Sequence, residues 1–297
     1  MITKRQPTFN DIVFAINGSI LPRISRRLFT IAVVSVIAVL ASSEHPGIFA
    51  KMSFIPFTLI GIALSVFMSF RNNACYARWW EGRELWGELI VACRSLARQI
   101  SLQGKDEREH VGRSLCAFTA GLAARLRGAN EEAAISLWLP VATPGRPNPT
   151  NDVLQGLGRY FLELQQQQKI GSILYSVLEV QLTQLAHVQG GCERILSTPV
   201  PFSYSLLLHR TALVFCLTLP FALAGSLGWW TLVPVLLVAY TFFGLDALGH
   251  QLEDPFSLEP NALPLYAMRR TVEREMLAIL GHADLPSPAE PQGHVLT

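Results

Sequence analysis

The side chains best placed for chemistry stand together after the last long apolar stretch, where His250, Glu253 and Asp254 occur within one short segment. On a helix, residues four apart lie on the same face, so His250 and Asp254 could form a metal-binding pair. A plainer reading competes with it. Proline disfavours helical backbone in the residue before it, so Pro255 ends the helix at Asp254 and leaves the acids solvated. The chain also has no HExxH helix, GxSxG elbow, P-loop or dinucleotide-binding glycine turn, the patterns that carry metal, acyl, phosphoryl and hydride chemistry. A membrane-bound metal-dependent enzyme is therefore the lesser reading.

The elements that would position these residues are membrane spans. Of 297 residues, 50% are hydrophobic and only 15% charged, against about 25% charged in ordinary soluble domains. The net charge of +2 gives no reason to expect nucleic acid as a partner. Cys75, Cys93, Cys116, Cys192 and Cys216 are scattered without a CxxC pair, which reads as reduced core thiols and not as a disulfide framework or zinc site. The first apolar run begins near residue 28, after an amphipathic stretch, and no small-x-small cleavage site follows, so it reads as a retained anchor.

Spanning the hydrocarbon takes roughly 20 residues. Residues 28–43, 52–70 and 211–245 are uncharged runs of the right kind, and the third has about twice the length of one helix. Gly225, Gly228, Trp229 and Trp230 in its middle supply a turn at an interface, which makes four spans. Arg23, Arg26 and Arg27 precede the first, Arg71 and Arg78 follow the second, and Arg210 precedes the third. By the positive-inside rule both termini and the long middle segment face the cytoplasm of an inner (plasma) membrane.

Helical spacing of apolar residues recurs over 81–102, 107–127, 151–168, 169–197 and 263–281, while Pro and Gly at 140–149 mark a loop. The expected class is an all-α membrane protein with four transmembrane helices, a cytoplasmic helical bundle, and assembly around a central pore. Residues 1–27 form a cytoplasmic N-terminal segment, 28–70 the first two spans, and 71–205 a cytoplasmic helical domain. Residues 206–248 form the third and fourth spans, 249–285 a cytoplasmic C-terminal helical segment, and 286–297 a Pro-rich disordered tail.

The second span carries the most information. Ile62, Val66 and Phe70 recur every four residues and line one face over about 12 Å of helix. Gly61, Ala63, Ser65 and Ser69 beside them allow close helix approach. Several such helices around an axis would form an apolar constriction that gates by dewetting. Spacing alone is more simply read as a stripe facing lipid or another helix. Arg78, Trp79 and Trp80 beyond it suit an interfacial anchor.

Residues 55–61, the Ile62, Val66 and Phe70 stripe, the Arg78, Trp79 and Trp80 run, and Asp254, Pro255 and Phe256 follow the order and spacing of the bestrophin family. The chain resembles a bacterial member from about residue 17 to Pro264. The resemblance implies a homopentamer in the lipid bilayer with one axial pore for monovalent ions. It implies a hydrophobic neck at Ile62, Val66 and Phe70, and a cytosolic aperture on the long helix before Cys192, by position at Val180. It leaves selectivity open between chloride, as in animal members, and sodium or another cation in bacterial ones.

Animal members also clasp calcium with an acidic run after the corresponding motif. Here Gln251, Asp254 and Glu259 are the candidate oxygen donors, but Ala262 stands where a further carboxylate is expected. Calcium takes six to eight oxygen ligands, so calcium activation is not expected and no cofactor is assigned. The bland alternative is a membrane scaffold whose helical domain binds partners.

Overall fold

The computed structural model describes residues 1, 19–49, 53–140, 145–291 and 295–296. Outside them lie most of the 1–27 segment, the first residue of the 52–70 span, positions 141–144 of the 140–149 loop, and part of the 286–297 tail. The elements are helices: α1 (Leu21–Glu44), the short α2 (Pro46–Phe49), α3 (Ile55–Gln99), α4 (Lys105–Leu126), α5 (Glu131–Ser136), α6 (Pro149–Gln166), α7 (Ser172–Ser197), α8 (Phe202–Leu227), α9 (Leu232–Glu253) and α10 (Leu265–Ile279). Among the described residues three stretches are long and apolar enough to cross a bilayer: Leu21–Glu44, Ile55–Gln99 and Phe202–Glu253.

The third stretch is broken by a 3-10 turn at Gly228–Thr231, so it is two helices, α8 and α9. Gly228 closes α8 with φ +52°, a backbone state that costs glycine little and a side-chain-bearing residue much more. The hairpin read from Gly225, Gly228 and the paired tryptophans is thus real.

One helix was divided by the sequence reading and is whole in the structure. The second apolar run and the pattern over 81–102 belong to a single 45-residue helix, Ile55–Gln99. The hydropathy changes at Arg71, but positions 71–80 contain neither Pro nor Gly, so nothing interrupts the backbone ladder. A polarity boundary is not a helix stop. The pattern at 169–197 starts later, at Ser172, because Gln168 takes φ +58° and closes α6. Helix α5 has only six residues, too few for periodicity to reveal.

The chain separates into two compact units, one formed by Trp79–Thr198 and Pro255–Thr297 with the first residues, the other by Lys4–Arg78 and Pro199–Asp254. In the first, Trp86, Leu89 and Leu96 of α3 meet Leu115, Phe118 and Leu122 of α4, Phe161 of α6, Leu185 of α7 and Val272 of α10 in one buried cluster. Phe256 is fully buried there, beside Gly82, where an added Cβ would come within 3.1 Å of its ring. In the second unit, Ile24 and Ile31 of α1 pack with Leu64 and Met68 of α3, Phe215 and Leu219 of α8, and Val235 and Phe243 of α9. Phe215 and Phe242 meet edge to face at 5.7 Å.

All five cysteines are buried and free, as the dispersed pattern suggested. Burial pushes the Cys93 and Cys192 thiols up to about 12 and raises Cys116 as well. The thiolate is the reacting species, so these groups stay neutral and inert at pH 8. A water-soluble maleimide should label none of the three in folded protein and all three in denaturant, read by mass spectrometry of peptides. Unfolding exposes thiols that ionise at ordinary values, so they subtract stability only as the pH climbs past about 9.

Candidate functional site

Along the part of α3 that belongs to the membrane unit, up to Arg78, the buried positions are Leu64, Met68, Arg71 and Cys75, a heptad-like stripe turned into that unit. Ile62, Val66 and Phe70 are exposed to 58%, 46% and 60%. Ser65 satisfies its own hydroxyl by donating to the Ile62 carbonyl at 2.8 Å, which adds no unpaired polar group to that face. Gly61 keeps the other face close to its neighbour: an added Cβ would stand 3.2 Å from the Phe215 ring. Of the long apolar stretches, Ile55–Gln99 has the smallest share of its membrane window buried by its own chain, 17% against 28% and 44%.

Val180 lies on α7 and is 63% exposed. It lines an open groove with Glu88, Tyr175, Glu179, Thr183 and His187, and Gln184 donates to the Glu88 carboxylate at 2.8 Å.

The residues considered for a metal are dispersed in role. Helix α9 ends at Glu253, and Asp254 has left helical backbone with φ −111° and ψ 90°. Asp254 is thus the cap of the helix and not a member of it, and the Asp-Pro step terminates the helix as its chemistry dictates. Gln251 is buried. The Glu259 carbonyl accepts the Ala262 N–H at 2.9 Å in the following turn. Among the described residues no three His, Cys, Asp or Glu side chains are grouped to hold a metal ion.

The motif residues act as fasteners within each unit. In the membrane unit, Arg78 Nε donates to the Glu253 carbonyl at 3.1 Å. In the other, Trp79 Nε1 donates to the Asn261 carbonyl at 2.9 Å.

Sequence reasoning missed a buried charge cluster in the membrane unit. The uncharged run ends at residue 245, and Asp246, the next residue, is buried on α9 inside the 206–248 segment. Its carboxylate accepts from Arg71 Nη1 at 2.9 Å and Arg27 Nη1 at 3.3 Å, and lies 2.9 Å from His209 Nδ1. Arg71, only 3% exposed, also reaches Glu253 at 3.5 Å, while its Nε donates to Ser205 at 3.2 Å. The available signal was positional: an acid at the end of one apolar run, with arginines flanking the others at the same depth.

A family model described as Bacterial/Fungal Bestrophin protein matches residues 1–278. The chain is 36% identical over 302 residues to the voltage-dependent anion channel-forming protein YneE of Escherichia coli K12, covering 99% of each. It is 36% identical over 288 residues to the voltage-dependent anion channel-forming protein mll4386 of Mesorhizobium japonicum, covering 95% of this chain and 93% of that one. Among solved structures it resembles a bacterial bestrophin homolog from Klebsiella pneumoniae, with TM-score 0.84 and 37% identity over 88% of this chain and 100% of that one.

Removing one partner of a buried ion pair leaves an uncompensated charge and costs about 3–5 kcal/mol. Asp246→Asn should therefore lower stability by that order in a thermal or denaturant scan in detergent. Arg27, whose side chain is 42% exposed, should cost under about 1 kcal/mol when changed to Gln.

Proposed function

The chain belongs to the bacterial and fungal bestrophin family, and from that membership we propose that it forms a homopentameric ion channel in the inner membrane with both termini in the cytoplasm. It is an all-helical membrane protein of a channel-forming family and not an enzyme. Four spans per subunit, α1, the first part of α3, α8 and α9, surround one axial pore, with α3 innermost. The observation that carries the reading is the exposed apolar stripe of Ile62, Val66 and Phe70 on the candidate membrane stretch least covered by its own chain. Stacked around an axis, these side chains make a dry neck that an ion crosses only when it wets. Val180 forms a second narrowing on the cytosolic side.

The names of the E. coli and M. japonicum relatives favour anions, and anion passage is the reading adopted. Cation passage is favoured by Glu179, which lines the same groove as Val180. Symmetry would multiply it into a ring of carboxylates, and rings of acids select cations. The sign of the reversal potential under a salt gradient, in liposomes holding only this protein, decides between them.

Two outcomes test the pore itself. Val66→Ala should widen the neck and raise flux several-fold with pentamer recovery unchanged by mass measurement. Leu64→Ala, at a position only 2% exposed, should instead cost about 2–5 kcal/mol of packing and lower recovery. A gain at Leu64 with none at Val66 would reassign the pore face, and a particle of another subunit number would overturn the assembly. Micromolar calcium should leave the current unchanged, because Ala262 contributes no carboxylate to Gln251, Asp254 and Glu259; a steep rise abolished by Glu259→Ala would show a working site.

A further inference from the structure

A cavity of about 250 Å³ opens in the first unit, where α4, α5 and α6 meet. Its inner wall is apolar, with Ile135 and Leu157 buried there and Leu139 and Val153 beside them. His110 and Ser114 of α4 close one side. The Ser114 hydroxyl is already spent, donating to the His110 carbonyl at 2.8 Å. Burial draws the His110 imidazole below its usual range, against an upward pull from Glu163. The ring is therefore neutral at neutral pH, and it lies against Tyr160 at 4.2 Å.

The charges stand on α6 and the loop before it. Arg146 and Asp152 pair with each other at 2.9 Å and cancel. Arg159 lines the same cavity and makes no hydrogen bond or ion pair among the described residues. The 141–144 stretch after Pro140 has no ionisable side chain. One guanidinium charge is left over beside an apolar wall. Gly156 points the same way. It lines the cavity from within α6, where glycine weakens a helix relative to alanine. Gly121 on α4 has a packing reason, because an added Cβ would stand 2.7 Å from the Thr150 hydroxyl. At Gly156 an added Cβ would meet nothing among the described residues within 4 Å. The space it leaves belongs to the cavity.

We propose that this cavity binds a small organic monocarboxylate with an apolar body. Its carboxylate meets Arg159, and its body lies over Gly156 against Ile135 and Leu157. A guanidinium matches a carboxylate in a planar, bidentate fork. A single unpaired charge suits a monoanion, and a mostly apolar lining with few polar groups is the usual build of a small-molecule site. The inference stands on the first unit alone and needs neither the membrane spans nor conduction.

The test is isothermal titration calorimetry of the purified full chain in detergent. The probes are phenylacetate, its uncharged isostere phenylacetamide, and inorganic phosphate. Phenylacetate should bind about tenfold or more tighter than either of the others. Arg159→Gln should bring phenylacetate down to the affinity of phenylacetamide and leave phenylacetamide unchanged. Gly156→Leu should fill the cavity and abolish binding of both aryl probes, with thermal stability kept or raised because leucine is the better helix former. Arg159→Gln, at an exposed position, carries the test if Gly156→Leu disturbs folding. Arg98→Gln removes an exposed arginine outside the cavity lining and should keep the wild-type affinity. Absence of phenylacetate binding, equal affinity for phenylacetamide or phosphate, or unchanged affinity in the Arg159 variant would overturn the proposal. Equal loss in the Arg98 variant would overturn it too. Ion flux is not the readout, so the channel reading and the ligand site fail separately.

Discussion

One carboxylate holds the membrane unit in register. Asp246 on α9 is met by Arg27 from α1, Arg71 from α3 and His209 from α8, so each long helix of that unit contributes one group at the same level. Apolar packing between such helices is nondirectional and tolerates sliding and rotation; a shared carboxylate does not. The desolvation cost of a buried pair roughly cancels its attraction, so the cluster's contribution is geometric. It specifies which side of each helix faces inward.

That constraint reaches the apolar stripe. On a helix of 3.6 residues per turn, the buried set Leu64, Met68, Arg71 and Cys75 and the exposed set Ile62, Val66 and Phe70 lie roughly 190° apart. Pinning Arg71 against Asp246 therefore turns Phe70 and its partners outward. The ion pair and the small residue Gly61, which presses against Phe215, act on the same rotation from two points along the helix. A soluble protein would hide such a face, since large contiguous apolar patches mark surfaces that meet lipid or another chain.

Much of this was legible in the residues. Long uncharged runs, turn glycines and flanking arginines identify the helices and the hairpin because bilayer thickness and backbone hydrogen bonding leave few alternatives. The stripe at Ile62, Val66 and Phe70 was visible as spacing, but its direction was not, because a period says which residues share a face and not what that face meets. The continuity of α3 was hidden by reading polarity as a boundary. The Asp246 cluster was hidden for a deeper reason: its members are separated by up to 219 positions, and only the fold sets them at one depth. Asp254 shows the reverse case, where the local chemistry of the following proline predicted the helix end.

The neighbourhood of Phe70 and Arg71 then acquires a functional sense in the proposed assembly. Arg71 follows the last apolar ring directly, and five guanidinium groups turned toward an axis would bind anions and bar cations at the neck mouth. Asp246, Glu253 and Ser205 draw it away from that position. The proposed neck would then be purely apolar, a barrier set by wetting and ring width that treats both signs of charge alike. In the proposed assembly discrimination would then fall to charged side chains such as those beside Val180, where Glu88, Glu179 and His187 line the same groove. Gating and selectivity would thus sit in different units of the fold, and a substitution could alter either without the other.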